Sequence, residues 1–405
     1  SFTAFADDKS EITVENGESI QEAIDEIDND GVITLEKGTY EIDASIVIDK
    51  NVTIVGNGST ISVEKDLDTE ENKNGSKCAI EINSGATVEI EDLTVEGNKN
   101  VRHVVNVYTG EGKKTTTVEL DNVTLKGATN YGVVNNASSV TLTDVVTSGN
   151  AWGINVDNRS GASEAGATLI INEGTVINEE SSVYFENDNN AKATINAEIR
   201  GGEFKGKVEI AQPNATLEIT GGEFKDEVKT CGDSKITVKS GTFETDISDF
   251  IDSDSSSIIK DEEGNYVAMD KDDVEENVTE FYIYNYDDLK IAIANQTDRV
   301  TWILNDDINV TKMIVIYTDV TIEGNGNTLT FTGDSIFHAG GGKDSFIQIE
   351  DGADVTIRDL TINGDSGAED SERVKHGINV FSYAADDRIT KVTVDNLEII
   401  NCGGY

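Results

Sequence analysis

A small basic and aromatic patch occurs twice in this otherwise acidic chain. Guanidinium, ammonium and imidazole groups attract anions, and aromatic rings stack against cations and sugar rings. The pattern predicts a binding site for an anionic sugar. The alternative is an ordinary structural position copied by duplication, with each histidine hydrogen-bonded at a turn. The patch residues are Arg102, His103 and Tyr108 in the first copy, and Arg373, Lys375, His376 and Tyr383 in the second.

Two runs of acidic residues are the candidate metal sites. Carboxylate oxygens are the ligands that calcium prefers, so calcium is the one cofactor that these runs predict. Neither run has the complete spacing of an EF-hand loop, and the alternative is a solvated acidic surface. The runs are Asp66, Asp68 and Glu70, and Asp270, Asp272 and Asp273.

The net charge of the chain restricts the classes of partner that it can bind. It has 78 acidic residues against 31 basic ones, a formal net charge of −47. Such a chain is repelled by the phosphates that a nonspecific nucleic-acid-binding protein must neutralise, so no nucleic-acid partner is expected. The same charge keeps an elongated protein soluble, although self-repulsion opposes compactness.

Other short features bear on location and redox chemistry. The three cysteines, Cys78, Cys231 and Cys402, are far apart, which predicts neither a disulfide framework nor a metal cluster but small buried residues. No run approaches 18 apolar residues, so no transmembrane segment is expected. Residues 1–10 resemble the remnant of a secretory signal peptide, or form an N-terminal tail, and the former predicts a secreted or extracellular cell-surface protein.

The elements that must position the patch are themselves duplicated. The segment Val52–Ile61 returns as Val320–Leu329, and the surrounding phrases return in the same order. The duplication predicts two tandem modules, residues 11–249 and an incomplete second copy at residues 281–405. Between them, residues 250–280 read as a small hairpin cap followed by an acidic linker.

A finer repeat of short strands runs inside each module. Each phrase alternates apolar and polar residues, which is the period of a half-buried strand, and glycine and asparagine separate the phrases. Similar phrases joined by loops of variable length favour an all-β parallel β-helix, a solenoid, over a sandwich or barrel of hairpins. The phrases begin at Val32, Val52, Val88, Val118, Val140, Leu169, Ile195, Leu217 and Ile236.

A short helix is expected at the start of each module. Ser19 and Glu22 have the spacing of a capping box, and Ile20, Ala23 and Ile24 fall on one helical face. Such a helix would cover the open edge of the first coil. Residues 287–294 would do the same for the second module.

The order of these phrases resembles a known superfamily. An amphipathic helix, then Gly38-Thr-Tyr40, then Val52-Thr-Ile-Val-Gly-Asn-Gly58 is similar to the start of the pectate-lyase-like right-handed parallel β-helix superfamily. The phrases ending at Phe224 and Phe250 resemble module ends of Gram-positive bacterial surface proteins. The resemblance implies a right-handed coil. For members that cleave polyuronates, it also implies one of two catalytic sites. One uses an arginine or lysine base with calcium held by acidic residues, and the other uses a cluster of aspartates that act as acid and base.

The catalytic motifs of that superfamily are missing from the sequence. The single proline, Pro213, lies between Gln212 and Asn214, so the Arg-x-Pro-x-x-Arg element of pectate lyases is absent. The Asn-Thr-Asp, Gly-His-Gly and Arg-Ile-Lys elements of polygalacturonases are absent too. No catalytic residue is therefore predicted, and Trp152 is interpreted as a packing residue.

Three functions remain open at this stage. The favoured one is a secreted or surface-displayed structural or adhesive β-helix protein, mainly non-catalytic, whose partners are host or environmental glycans or surface proteins. The second is a polysaccharide-active enzyme, of the polyuronate lyase or glycoside hydrolase type, or an inactive relative of one. The third is a filament subunit that associates head to tail through the open end of the second β-helix.

Overall fold

The computed structural model describes most of the chain. The described residues are 9–70, 75–110, 112–158, 166–186, 194–336, 344–365, 373–382 and 388–403. The chain divides into two compact units, residues 1–252 and 253–405. Most of the signal-peptide segment, and Tyr383 of the second basic patch, lie outside the described residues.

The first unit is built from short strands and one helix, α1 (Ile20–Glu26). Its strands are β1 (Glu11–Val14), β2 (Gly31–Leu35), β3 (Thr39–Ile42), β4 (Ile46–Ile48), β5 (Val52–Val63), β6 (Cys78–Ile82), β7 (Thr87–Glu96), β8 (His103–Tyr108), β9 (Thr117–Lys126), β10 (Tyr131–Asn136), β11 (Ser139–Thr143), β12 (Val146–Ser148), β13 (Trp152–Asp157), β14 (Ala167–Ile171), β15 (Val176–Ile177), β16 (Ser181–Phe185), β17 (Ile195–Ile199), β18 (Glu203–Phe204), β19 (Lys207–Ile210), β20 (Ala215–Ile219), β21 (Glu223–Phe224), β22 (Val228–Thr230), β23 (Lys235–Val238) and β24 (Gly241–Phe243).

The repeated strand phrases stack in parallel, one coil upon the next. In the first sheet, β2, β5, β7, β9, β11, β14, β17, β20 and β23 pair in that order. Val88 pairs with Val118, Val118 with Val140, and Val140 with Leu169, so equivalent apolar residues form a column. The prediction of an all-β parallel β-helix is confirmed by this pairing.

A second parallel sheet closes each coil. It contains β4, β6, β8, β10, β13, β16, β19 and β22 in chain order, because each coil contributes one strand to it. Its inward residues form a buried column that includes Val107, Val156 and Phe185. Asn135 belongs to the same column. Its buried side-chain amide has a hydrogen-bond partner in the core, since it donates to the Thr168 carbonyl oxygen at 2.8 Å.

The last coils of the first unit have an internal aromatic stack. Phe204, Phe224 and Phe243 are fully buried, with ring centroids 4.8 and 4.6 Å apart. Each ring follows a tight turn, and Gly222 adopts a φ of +109° there. Because a Cβ at Gly222 would lie 3.2 Å from the Gly202 carbonyl oxygen, the turn favours glycine.

Helix α1 begins as its sequence indicates. Ser19 Oγ accepts a hydrogen bond from the Glu22 backbone N–H at 3.2 Å, and Ile20, Ala23 and Ile24 are buried. These contacts explain why a helix of only seven residues forms, since its N-terminus is capped by a hydrogen bond and its apolar face is buried. Its role as the lid of a coil stays a prediction.

The second unit has two helices and a second set of short strands. The helices are α2 (Lys271–Asn277) and α3 (Tyr286–Ala294). The strands are β25 (Ser256–Lys260), β26 (Tyr266–Asp270), β27 (Glu280–Ile283), β28 (Val300–Leu304), β29 (Ile308–Val310), β30 (Ile314–Ile316), β31 (Val320–Glu323), β32 (Thr328–Phe331), β33 (Ser345–Ile349), β34 (Asp354–Asn363), β35 (His376–Val380) and β36 (Lys391–Ile400).

Parallel stacking also organises the second unit. Strands β27, β28, β31, β34 and β36 form one parallel succession, and β30, β33 and β35 form another. Strands β25 and β26 make an antiparallel hairpin, where the sequence predicts one. The acidic stretch after the hairpin contains α2, whereas the sequence predicts only an acidic linker there.

The cysteines depart in part from expectation. Cys78 is buried, but Cys231 is exposed and Cys402 is half-buried, so the prediction of three buried residues is wrong for two of them. Cys231 lies at a turn between coils, where its thiol donates to the Ala211 carbonyl oxygen at 3.0 Å. Within the described ranges, no helix has the length and apolar character needed to cross a membrane.

Candidate functional site

The outer face of the second sheet of the first unit contains a groove of about 400 Å³. This volume lies within the range of small-ligand sites. We call this feature the outer groove. It is lined by Arg102, His103, Asn106, Asn130, Tyr131, Val134, Asn136, Trp152, Asn155, Asp157 and Glu186.

One wall of the outer groove is an aromatic column. Strands β8, β10 and β13 begin at His103, Tyr131 and Trp152, so the parallel stacking places these rings one above another. The ring centroids of His103 and Tyr131 are 5.9 Å apart, and those of Tyr131 and Trp152 are 5.1 Å apart. Offset ring pairs at such distances are mutually attractive. The three rings therefore form a continuous surface across three coils.

The opposite wall is a polar column. Asn136 pairs with Asp157. In the next coil Phe185 pairs with Val156, so Glu186 lies beside Asp157. In the parallel register these three side chains occupy one position in successive coils. Because side chains alternate between the two faces of a strand, Asn136 and Asp157 share the outer face with Val134 and Asn155, two positions earlier, and they line the groove together with the aromatic rings. Amide and carboxylate groups thus face the groove along its length.

The floor of the groove lies between the two columns. Val134 pairs with Asn106 on one side and with Asn155 on the other. Asn155 is 1% exposed, and its Nδ2 donates to Glu186 Oε2 at 3.1 Å. This hydrogen bond joins the floor to the polar wall and orients the Glu186 carboxylate.

Trp152 ends the aromatic column with its outer face uncovered. Extending the pairing of Ile154 with Val183 back by two positions places Ser181, whose side chain is small, next to Trp152 in the following coil. Trp152 is accordingly 43% exposed. Packing requires glycine at the next position, since a Cβ at Gly153 would lie 2.4 Å from the Ser182 carbonyl oxygen. Trp152 packs against Tyr131 on one face, so its interpretation as a packing residue holds for that face alone.

The charges of the outer groove are unevenly placed. Arg102 is exposed at its edge, whereas Asp157 is 3% exposed within its wall. Glu186 adds a second carboxylate beside Asp157. Among the described residues that line the groove, Arg102 is the one exposed cation and Asp157 and Glu186 are the carboxylates.

Two titratable groups next to the groove are unsuited to nucleophilic chemistry at neutral pH. Burial raises the pKa of the Cys78 thiol to about 12, although Ser76 hydrogen-bonds to its sulfur at 2.7 Å. Burial and the nearby charge of Glu81 raise the pKa of Tyr108. Both groups stay protonated, and a protonated thiol is a poor nucleophile.

The structure distributes the predicted basic patch unevenly. Arg102 and His103 line the outer groove, and Tyr108 lies one coil before Asn136, beside the groove rather than in it. In the second unit, the Arg373 guanidinium lies 3.6 Å from Asp365 and the Lys375 ammonium lies 3.7 Å from Asp344; His376 begins β35 and pairs with Ser345.

Most residues of the outer groove were not predicted from the sequence. Arg102 and His103 belong to the predicted basic patch, but the other two rings of the aromatic column and the whole polar column do not. Their common signal is register, since Tyr131 and Trp152 both begin a strand, as His103 does. The variable loops between coils hide that alignment from the sequence.

The candidate calcium ligands have protein partners. Asp68 accepts from Lys77 Nζ at 3.3 Å and from Thr129 Oγ1 at 3.0 Å. Asp270 caps α2 by accepting from the Asp272 backbone N–H at 2.8 Å. Within the described part of the chain, no three histidine, cysteine, aspartate or glutamate side chains converge on a possible metal position. Calcium binding by these runs, which also include Asp66, Glu70 and Asp273, stays a prediction.

Matches to known proteins are confined to solved structures of low similarity. No family model matches the chain, and no curated protein matches it. Among solved structures, it is similar to the PL6 family alginate lyase AlyGC, with 11% identity over 96% of this chain and 76% of that one, at a TM-score of 0.27. A mutant of that enzyme gives 10% identity over 97% and 81%, at a TM-score of 0.24.

Proposed function

We propose that this protein binds a polysaccharide chain in the outer groove. One observation carries the proposal: an aromatic column that ends in the exposed ring of Trp152 faces a column of amide and carboxylate groups across one groove. Sugar rings have apolar C–H faces and a rim of hydroxyl groups. The two walls match these two kinds of surface.

Hydrogen-bonding capacity supports the same ligand. The carboxylates of Asp157 and Glu186 only accept hydrogen bonds when ionised, whereas the amide of Asn136 both donates and accepts. A hydroxyl group can donate to the former and do either with the latter. Sugar hydroxyls would therefore satisfy groove groups that lose water when a ligand covers them.

The length of the groove favours an oligomeric ligand. Its walls extend over four neighbouring strands, β8, β10, β13 and β16. Stacked strands lie about 4.8 Å apart, so the groove extends about 14 Å along the coil axis. That distance exceeds the size of a single sugar ring.

A glycan array probed with the intact chain tests this proposal. We expect binding to at least one polysaccharide class, and we expect Trp152→Ala to weaken it by at least about tenfold, or 1.4 kcal/mol. Tyr317→Ala is the matched control, because Tyr317 is similarly exposed, at 44%, and lies in the second unit. The proposal fails if no glycan binds or if both variants bind equally.

Cleavage of the bound polysaccharide is a second candidate. It is favoured by the presence of two carboxylates, Asp157 and Glu186, together with Arg102 in one groove. Glycoside hydrolysis uses a pair of carboxyl groups, and lyases use a base beside a cation. New reducing or unsaturated ends, produced by the intact chain and lost in Asp157→Asn, would support cleavage. Binding without new ends would leave the protein as a binding module.

Further architectural proposals accompany this function. They are a right-handed coil, two copies of one module, and lids formed by α1 and α3 over the first coil of each copy. We also propose secretion and display at a cell surface, where polysaccharides are accessible. Head-to-tail association through β36 is a separate proposal, which the concentration dependence of mass in light scattering would test.

A further inference from the structure

We infer that Glu179 is a positioning residue of the outer groove, which holds the turn that presents Trp152 although it does not line the groove itself. The inference rests on the proposed function, because Trp152 offers the free ring on which a sugar would stack. It follows from the hydrogen bonds of a buried carboxylate outside the groove lining.

The turn that leads to Trp152 consists of residues 149–151, between β12 and β13. Gly149 and Ala151 are exposed, whereas Asn150 is half-buried. Lys99 Nζ donates to the Gly149 carbonyl oxygen, so the start of the turn is tied to an earlier coil. The side-chain contacts of the turn come from Asn150.

Asn150 joins the turn to the coils on both sides. Its Oδ1 accepts from the Ala128 backbone N–H at 2.8 Å, and its Nδ2 donates to the Leu125 carbonyl oxygen at 3.2 Å, both in the preceding coil. Toward the following coil, Asn150 Nδ2 donates to Glu179 Oε1 at 2.8 Å. The Asn150 backbone N–H donates to the same oxygen at 3.4 Å.

The Glu179 carboxylate links this turn to the strand before it. Glu179 is 5% exposed, and its Oε2 accepts a hydrogen bond from the Thr147 hydroxyl group in β12. Hydrogen bonds to a carboxylate are stronger than those between neutral groups, and a buried carboxylate that loses its donors is costly. Glu179 therefore fixes the turn and β12 relative to each other.

The start of β13 depends on this anchor. The pairing of β13 with β16 begins at Ile154 and Val183, two positions after Trp152. Among the described hydrogen bonds of residues 149–151, those to the following coil are the two from Asn150 to Glu179. Loss of the carboxylate should therefore loosen the turn and let the indole move.

Acrylamide quenching of tryptophan fluorescence tests the inference without any glycan. The chain has two tryptophans, and Trp302 is 1% exposed, so a small neutral quencher reports mainly on Trp152. We expect Glu179→Ala to raise the quenching constant about twofold, because a loosened turn exposes more of the indole. Glu179→Gln should restore it, because its amide oxygen can accept from Asn150 while its nitrogen donates to the Thr147 hydroxyl group.

Glycan affinity should follow the same order. With the probe selected by the glycan array, we expect Glu179→Ala and Asn150→Ala each to weaken binding by about fivefold, and Glu179→Gln by less than about twofold. Combining Glu179→Ala with Asn150→Ala should cost little more than either change alone, because the two residues act through shared hydrogen bonds. Glu180→Ala is the matched control, since it removes the same side chain from the adjacent, exposed position.

The outcomes separate this inference from the proposed function. Quenching and affinity in Glu179→Ala equal to those in Glu180→Ala would overturn the positioning role and leave glycan binding intact. Equal losses in Glu179→Ala and Glu179→Gln, or additive losses in the double variant, would overturn it too. If Glu179→Ala does not fold, Asn150→Ala carries the same test at a half-buried position.

Failure of every glycan to bind, or binding that Trp152→Ala leaves unchanged, would overturn the proposed function itself. The quenching measurement would then still decide whether Glu179 positions Trp152.

Discussion

At the residue scale, the exposure of Trp152 depends on its neighbour in the next coil. Tyr131 is covered on both sides by rings, but the residue above Trp152 is Ser181. A type-based reading of the sequence selects Arg102 and His103 because charge and imidazole are conspicuous. It misses Trp152, because the residue above it is fixed by strand register and is separated from it by 29 positions of chain.

Filling the space above Trp152 should block the outer groove without removing any of its side chains. We expect Ser181→Leu to cover the free face of the indole and to weaken glycan binding by about tenfold, or 1.4 kcal/mol. Isothermal titration with the best glycan probe measures this change. Thr216→Leu is the control, because Thr216 is exposed on the other sheet of the same unit. Unchanged affinity in Ser181→Leu would mean that the sugar does not contact this face.

At the element scale, the alternation within each phrase was enough to predict the strands and their parallel stacking. Val88, Val118 and Val140 form one column because each begins the same phrase. Helix α2 was not predicted, since its charged sequence lacks an apolar stripe and only Val274 is buried. The polar column also escaped, because loops of different length separate its members.

The internal phenylalanine column should contribute strongly to the stability of the last coils of the first unit. Phe224 is fully buried between two rings, so Phe224→Ala removes both stacking contacts and leaves a cavity. We expect a loss of about 3–5 kcal/mol in the free energy of unfolding, measured by urea denaturation. Phe224→Leu should lose less, because it fills more of the space. Equal losses in the two variants would argue against a cavity as the cause.

An acidic group of adjacent strands should make stability depend on pH. Burial, followed by the charges of Glu89, Asp92 and Asp121, raises the pKa of Glu91. The native state therefore binds this proton more readily than the unfolded chain. The resulting penalty is complete above the folded pKa and is relieved as the pH falls through it.

Removing that charge should stabilise the protein only where Glu91 is ionised. We expect Glu91→Gln to raise the free energy of unfolding at about pH 7, by no more than about 0.5 kcal/mol because solvent screens the group. The gain should vanish near pH 3, below the ordinary pKa of glutamate at about 4.3. Glu244→Gln, at an exposed position, is the control. A gain that persists at the lower pH would contradict the electrostatic cause.

At the scale of the whole molecule, a net charge of −47 opposes compactness. Salt screens this repulsion, so sodium chloride should raise the Tm measured by calorimetry. Calcium chloride at equal ionic strength separates screening from site binding. A larger rise with calcium, lost in Asp68→Asn or Asp270→Asn, would support the calcium prediction. An equal rise would leave screening as the whole effect.

The most direct measurement is a crystal structure of the chain with the glycan that binds most tightly. The account predicts a sugar ring on the outer face of Trp152, with hydroxyl groups within hydrogen-bonding distance of Asp157 and Glu186. A glycan bound elsewhere on the molecule, with the outer groove filled only by water, would contradict the central claim.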